Sequence, residues 1–193
     1  LQSHEPIYIG GDSDFVSANG VVVGSGTADD PYIIEGWVID AQGGEGIFIE
    51  GTSAFFVIRN CFVENGNCGI KMVNVINGKV ENVVSVNNDW GIFVDSSSNN
   101  AIVDSIFSNS ANYGIYLRSS SNNLIQNNRV ENNSVYGIRL DASSDYNVLE
   151  NNVFKNNNGV YLNHSSHNKL FGNACESNYN FGIVLVSGSD YNL

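Results

Sequence analysis

Seven times the chain places a glycine before an aliphatic residue, a free position and a second aliphatic residue. The copies are Gly46-Ile47-Phe48-Ile49, Gly69-Ile70-Lys71-Met72, Gly91-Ile92-Phe93-Val94, Gly114-Ile115-Tyr116-Leu117, Gly137-Ile138-Arg139-Leu140, Gly159-Val160-Tyr161-Leu162 and Gly182-Ile183-Val184-Leu185. Successive glycines lie 23, 22, 23, 23, 22 and 23 residues apart. A fixed period of this size marks a solenoid, because one unit can bury its apolar side only against its neighbours.

A second motif keeps the same step. Ile58, Asn60, Val63 and Asn65 recur as Ile102, Asp104, Phe107 and Asn109, as Ile125, Asn127, Val130 and Asn132, and as Leu149, Asn151, Phe154 and Asn156. Ile34, Gly36 and Ile39 form a founding copy. Each unit therefore offers about three short alternating stretches separated by Asn, Ser or Gly turns, with no helical period. Three short strands per 22–23 residues predict an all-β, single-stranded right-handed parallel β-helix of about eight coils. Residues 1–32 are aperiodic and are expected to cap it, with Ile7 and Ile9 as a first strand. Residues 33–193 are the repeats, ending uncapped or truncated, and an open parallel edge invites end-to-end pairing of copies.

Stacked coils lie roughly 4.8 Å apart, so equivalent residues fall in columns. Ile47, Ile70, Ile92, Ile115, Ile138, Val160 and Ile183 should line a dry core. Stacked asparagines should bond amide to amide along the axis and suit left-handed corners. Ser96-Ser97-Ser98-Asn99 and Ser119-Ser120-Ser121-Asn122 form a turn column.

Eight Lys and Arg face 20 Asp and Glu, a net charge of −12. That excludes a nucleic-acid surface, which needs clustered basic residues, and no apolar run approaches a membrane span. The three cysteines are Cys61, Cys68 and Cys175. Cys61 and Cys175 stand about five coils, roughly 24 Å, apart, too far to bridge. Cys61 shares a column with Val83, Ser105, Asn128 and Asn152 and is expected to face outward as a free thiol, with a disulfide between molecules as the alternative.

Asp14-Phe15, Asn19-Gly20-Val21, Gly24-Ser25-Gly26-Thr27, Asp30-Pro31-Tyr32-Ile33-Ile34 and Trp37 resemble the entry motif of archaeal extracellular right-handed β-helix proteins. The repeats that follow look like those of the NosD-like and carbohydrate-binding and sugar hydrolysis repeat families. The resemblance covers nearly the whole chain. It implies a secreted or cell-surface archaeal protein, and for activity it is unspecific, since lyases, hydrolases, epimerases, adhesins and envelope proteins share such repeats.

Function, on this reading, sits on the strand that carries the Gly-Ile repeat. Its outward positions are Phe48, Lys71, Phe93, Tyr116, Arg139, Tyr161 and Val184, a stripe roughly 29 Å long. Aromatic rings in line suit sugar faces, and Lys or Arg suits acidic sugars. The same stripe also serves as a stabilising cross-strand ladder or as a contact between copies. The next outward column contains Asp95, Arg118 and Asp141 on consecutive coils. Two carboxylates around a cation, roughly 9.6 Å apart, fall at the upper edge of the inverting-glycosidase range. In an enzyme Asp141 would be the base and Asp95 the acid. Alternating charges up a ladder also avoid like-charge neighbours without any chemistry.

No metal site is expected. His164-Ser165-Ser166-His167 reads as a solvated turn, so the copper of the NosD-like name finds no ligand set. Asp12/Asp14 and Asp29/Asp30 could hold Ca²⁺, though their spacing matches no established calcium loop. Asn132 and Asn163 head glycosylation acceptor sequences. The expected function is a non-catalytic extracellular structural or adhesive module of a cell envelope, contacting polysaccharide or copies of itself through the aromatic stripe. The alternative is a polysaccharide-active lyase, epimerase or glycoside hydrolase using Asp95, Arg118 and Asp141.

Overall fold

A computed structural model describes residues 1–193. Twenty-four short strands are distributed over three eight-stranded sheets. The chain visits the sheets in rotation, so every pairing except one is between successive coils and parallel. The result is a right-handed parallel β-solenoid of about seven turns, with no α-helix. Strands from the N-terminal segment supply the first rung and bring each sheet to eight strands. Ile7–Ile9 pairs with Ile47–Ile49, and Gln2–Ser3 pairs with Trp37–Val38.

Sheet B carries the glycine repeat and comprises Ile7–Ile9, Glu45–Thr52, Cys68–Val75, Trp90–Asp95, Tyr113–Arg118, Tyr136–Asp141, Asn158–Asn163 and Phe181–Val186. Sheet C runs from Val21–Val23 and Tyr32–Glu35 to Lys169–Phe171, and sheet A from Gln2–Ser3 and Trp37–Asp40 to Ala174–Cys175. Val21–Val23 makes the one antiparallel pairing, against Ile33 and Ile34. Phe15 from the aperiodic segment stacks on Tyr32 at 4.6 Å and enters the core.

The core is a single continuous cluster running the length of the axis. Most of the expected column is there: Ile47, Ile70, Ile92, Ile115, Ile138 and Val160 are all fully buried, whereas Ile183, on the last strand of the sheet, is covered from one side only and is 45% exposed. Its glycines are required by space. A Cβ on Gly91 would stand 2.5 Å from the Gly114 carbonyl oxygen, and one on Gly114 would stand 2.4 Å from Val130 and 2.9 Å from the Gly137 carbonyl oxygen. Neither has positive φ, so the repeat is fixed by close approach of successive coils rather than by turn geometry.

The turns are left-handed corners stacked in register. Asn60, Asn82, Asp104, Asn127 and Asn151 all have φ between 50° and 56°, a conformation that Asn tolerates. Inside the corners run buried amide ladders. Asn100 Nδ2 donates to Asn123 Oδ1 at 3.2 Å, Asn123 to Asn147 at 3.1 Å, and Asn147 to Asn168 at 3.2 Å. A parallel ladder joins Asn128 to Asn152 and Asn152 to Asn173, each at 3.0 Å.

This second ladder corrects the outward placement of Cys61. Cys61, Val83, Ser105, Asn128 and Asn152 are all buried. Alternation fails here because the preceding left-handed residue is itself exposed: Arg59 and Asn60 both face outward, and Cys61 then turns in. A thiol in that position is closed to a disulfide between molecules.

Candidate functional site

The register of sheet B stacks the predicted outward residues on consecutive rungs, although Phe93 itself is buried, 6% exposed, beneath Trp90, Tyr116 and Arg118. Phe48 pairs with Lys71, Lys71 with Phe93, Phe93 with Tyr116, Tyr116 with Arg139, and Arg139 with Tyr161. Beside them Asp95 pairs with Arg118, and Arg118 with Asp141. Tyr8, on the first rung, extends the stripe by pairing with Phe48, and their rings lie 5.3 Å apart.

A third column on the same face has no counterpart in the alternation pattern. Trp90 pairs with Tyr113, and Tyr113 with Tyr136. In each rung the glycine drops out of the pairing, and glycine and isoleucine both turn inward. That slip brings residues three apart onto one face. The signal was present in the sequence, since Glu45, Cys68, Trp90, Tyr113, Tyr136, Asn158 and Phe181 each precede a repeat glycine.

The two aromatic columns interlock. Phe93 stacks on Tyr116 at 5.0 Å, Tyr136 on Tyr161 at 4.6 Å, Trp90 tilts against Phe93 at 5.3 Å, and Tyr113 meets Tyr116 edge-on at 5.2 Å. Arg139 sits among three of these rings, with its guanidinium carbon 5.3 Å from Tyr113, 5.5 Å from Tyr116 and 5.4 Å from Tyr161. Its Nη1 donates to the Tyr113 hydroxyl at 2.7 Å. The stripe is thus a packed ridge with ring edges, hydroxyls and guanidinium groups at its surface.

Every cation on this face has a carboxylate. Lys71 Nζ lies 3.0 Å from Glu45. Arg118 grips Asp95 with two hydrogen bonds, at 2.9 and 2.6 Å. Arg139 donates twice to one oxygen of Asp141, at 3.2 and 2.5 Å, while Asn163 Nδ2 donates to the other at 2.6 Å. The Arg118 hydrogen bonds hold the Asp95 carboxyl below its usual range. Burial pushes Asp141 up, but the hydrogen bonds from Arg139 and Asn163 outweigh it and leave this carboxyl low as well. Burial keeps the Tyr116 phenol above its ordinary value and therefore protonated.

The other candidates lie elsewhere. Asp12 accepts a hydrogen bond from Thr52 at 2.5 Å, and Asp14 accepts one from the Gly10 amide at 3.0 Å. Asp29 and Asp30 are exposed in the loop before Tyr32. Asn132 and Ser134 are both exposed at a corner, whereas Asn163 is bonded to Asp141 and its partner Ser165 is fully buried. His164 and His167 are exposed, and His167 is sandwiched between Tyr146 and Tyr191 at 4.9 and 5.1 Å.

Residues 12–193 match the sequence profile described as "Periplasmic copper-binding protein (NosD)". The chain belongs to the NosD family. The copper in that description requires converging His, Cys or Met donors. In this NosD-family chain no three His, Cys, Asp or Glu side chains come together as a metal site, and Cys61, Cys68 and Met72 are buried in the wall and core. The residues present do not fit a copper centre.

No curated protein matches the sequence. Among solved structures the NosD-family chain is similar to the periplasmic alginate epimerase AlgG, with a TM-score of 0.71 and 19% identity over 80% of this chain and 38% of that one. It is also similar to an alginate lyase from Paenibacillus sp., with a TM-score of 0.54 and 14% identity over 97% of this chain and 76% of that one. The tailspike protein 2 enzymatically active domain of Bacteriophage CBA120 gives a TM-score of 0.62 and 16% identity over 99% of this chain and 34% of that one. The chain thus spans little more than a third of the epimerase and the tailspike domain. At these identities the likeness is one of fold, and no helix is long and apolar enough to cross a membrane.

Proposed function

We propose that this chain is the β-helix of a polysaccharide-active protein working in the periplasm or outside the cell, with an extended glycan lying along the outer face of sheet B. The observation that carries the reading is the unbroken ridge of aromatic rings and arginine–carboxylate pairs on consecutive rungs. Aromatic bodies with polar tips are the surface that a sugar chain, apolar on its faces and hydroxylated at its edges, fits. The fold neighbours bear the names of an alginate epimerase, an alginate lyase and a tailspike enzyme, which supports a polysaccharide-active role over a purely structural envelope scaffold.

For turnover, Asp141 is the candidate base, ionised and set beside Arg139 and Tyr116. Asp95 is a poor proton donor, because the Arg118 fork keeps it ionised; the protonated Tyr116 phenol is the donor in this reading. A specific feature favours a second reading, non-catalytic glycan binding. Both carboxylates are shifted in the same direction, whereas hydrolytic pairs are held apart. One experiment separates the two. The protein is incubated with a panel of polysaccharides while binding and chain shortening are followed together. Shortening that is abolished in Asp141→Ala supports the enzyme, and saturable binding lost in Tyr116→Ala without shortening supports the binding module. Neither binding nor shortening on any polymer would sink the proposal.

A further inference from the structure

We infer that the glycan recognised by sheet B is an uncharged polysaccharide, an inference that rests on the glycan reading of that face. The cations of the face are Lys71, Arg118 and Arg139; its carboxylates are Glu45, Glu50, Asp95 and Asp141. Carboxylates are in excess, and each cation is already committed, Lys71 to Glu45 at 3.0 Å, Arg118 to Asp95 at 2.6 Å and Arg139 to Asp141 at 2.5 Å. Glu50 is held by the Tyr8 hydroxyl at 2.5 Å.

A polyuronate carboxylate can reach the outer N–H groups of Arg118 or Arg139, but it meets a cation whose charge an aspartate already balances, and it gains the full charge only by displacing that aspartate. The exchange swaps one carboxylate for another and strands the protein's own charge, so it yields no net gain. The remainder of the molecule adds to the penalty, since the chain as a whole carries −12 and like charge repels an approaching polyanion over a Debye length of about 8 Å in physiological salt.

Uncharged sugars meet the opposite situation. Their hydroxyls both donate and accept, and the ridge offers both: phenols on Tyr113, Tyr116, Tyr136 and Tyr161, guanidinium donors, and the carboxylate oxygens beside them. An ion pair that stays intact while its outer N–H groups and oxygens bond a diol pays no charge-separation cost. Binding of this kind depends little on ionic strength.

The test is native electrophoresis of the full chain through gels containing an uncharged polymer (a β-glucan, a mannan or a fructan) or a polyuronate (alginate or pectate). Each gel is run at low and high salt, with a chelator and with added calcium. The expected result is retardation by at least one uncharged polymer, with an affinity that changes less than about twofold with salt, and none by polyuronates. The double variant Asp95→Asn, Asp141→Asn releases both guanidinium groups and should acquire salt-sensitive retardation by polyuronate that the parent lacks. Retardation of the parent by polyuronate in any condition, or binding confined to charged polymers, would overturn the inference and leave the glycan face standing. Absence of retardation by every polymer would remove the glycan reading and this inference together.

Discussion

Asn128 shows how much one side chain does in this wall. Its Oδ1 accepts from the Ser105 amide at 3.0 Å, and its Nδ2 donates to the Ile102 carbonyl at 2.8 Å and to Asn152 at 3.0 Å. Asn128→Ala leaves the buried Ser105 N–H and the Ile102 oxygen without these partners, and each orphaned group costs about 1–3 kcal/mol. A fall in stability of about 2 kcal/mol or more is expected, read as the shift in denaturation midpoint. The cysteines give a second residue-scale outcome. Burial raises all three thiols, that of Cys68 to about 12, but Cys61 and Cys68 are closed off inside the wall whereas Cys175 is partly exposed, so brief alkylation at pH 8 should label Cys175 alone in the native protein and all three after unfolding, as counted by mass spectrometry. A third concerns acid. The folded Asp95 carboxyl lies below its ordinary value of 3.8, so the stability contributed by its pair with Arg118 is present above that value and is lost as pH falls through the lower folded one. Wild type should exceed Asp95→Asn by at most about 1 kcal/mol at neutral pH, and the two unfolding curves should converge in acid.

At the scale of the element, the corners state a rule and then break it. Asn77, Asn99 and Asn122 occupy one left-handed column, which continues as Tyr146, His167 and Tyr191 with φ of 56°, 59° and 55°. Bulky residues pay about 1–2 kcal/mol each for that conformation, while their two ring stacks return about 0.5–1.5 kcal/mol apiece. The strain of three such residues outweighs or matches the return from two stacks, so the triple variant carrying Asn at all three positions should be at least as stable as wild type in thermal melts, by up to about 5 kcal/mol. Element identity was legible because turn chemistry and apolar alternation agree in nearly every coil. Side-chain direction was less legible, because period-two alternation survives neither a left-handed corner nor the glycine slip. Cys61 was misdirected by the first, and Trp90, Tyr113 and Tyr136 were overlooked through the second. The Asp95–Arg118–Asp141 column was visible in the sequence; the pairing of Arg139 with Asp141 was not, since it depends on how neighbouring columns lean.

For the molecule as a whole, the strict register predicts that rungs are exchangeable. Deleting residues 138–159 joins Gly137 to Val160 and removes Arg139 and Asp141 together as a neutral unit. Asn123 then meets Asn168, and Asn128 meets Asn173, with the core column unbroken. The shortened chain should fold, with an unchanged strand signature in circular dichroism and a lower melting temperature, because each coil draws stability from its neighbours. An unfolded product would show that the coils are not equivalent.

The internal amide ladders also have a sense. In each, the main-chain N–H and Nδ2 of one asparagine are completed by the oxygen of its counterpart one coil later, as Asn100 is by Asn123 and Asn123 by Asn147. A polypeptide emerging amino end first thus carries into view, with every new turn, the acceptor that the previous turn was waiting for. The wall is written so that synthesis and closure proceed in the same direction, like a zip with one slider.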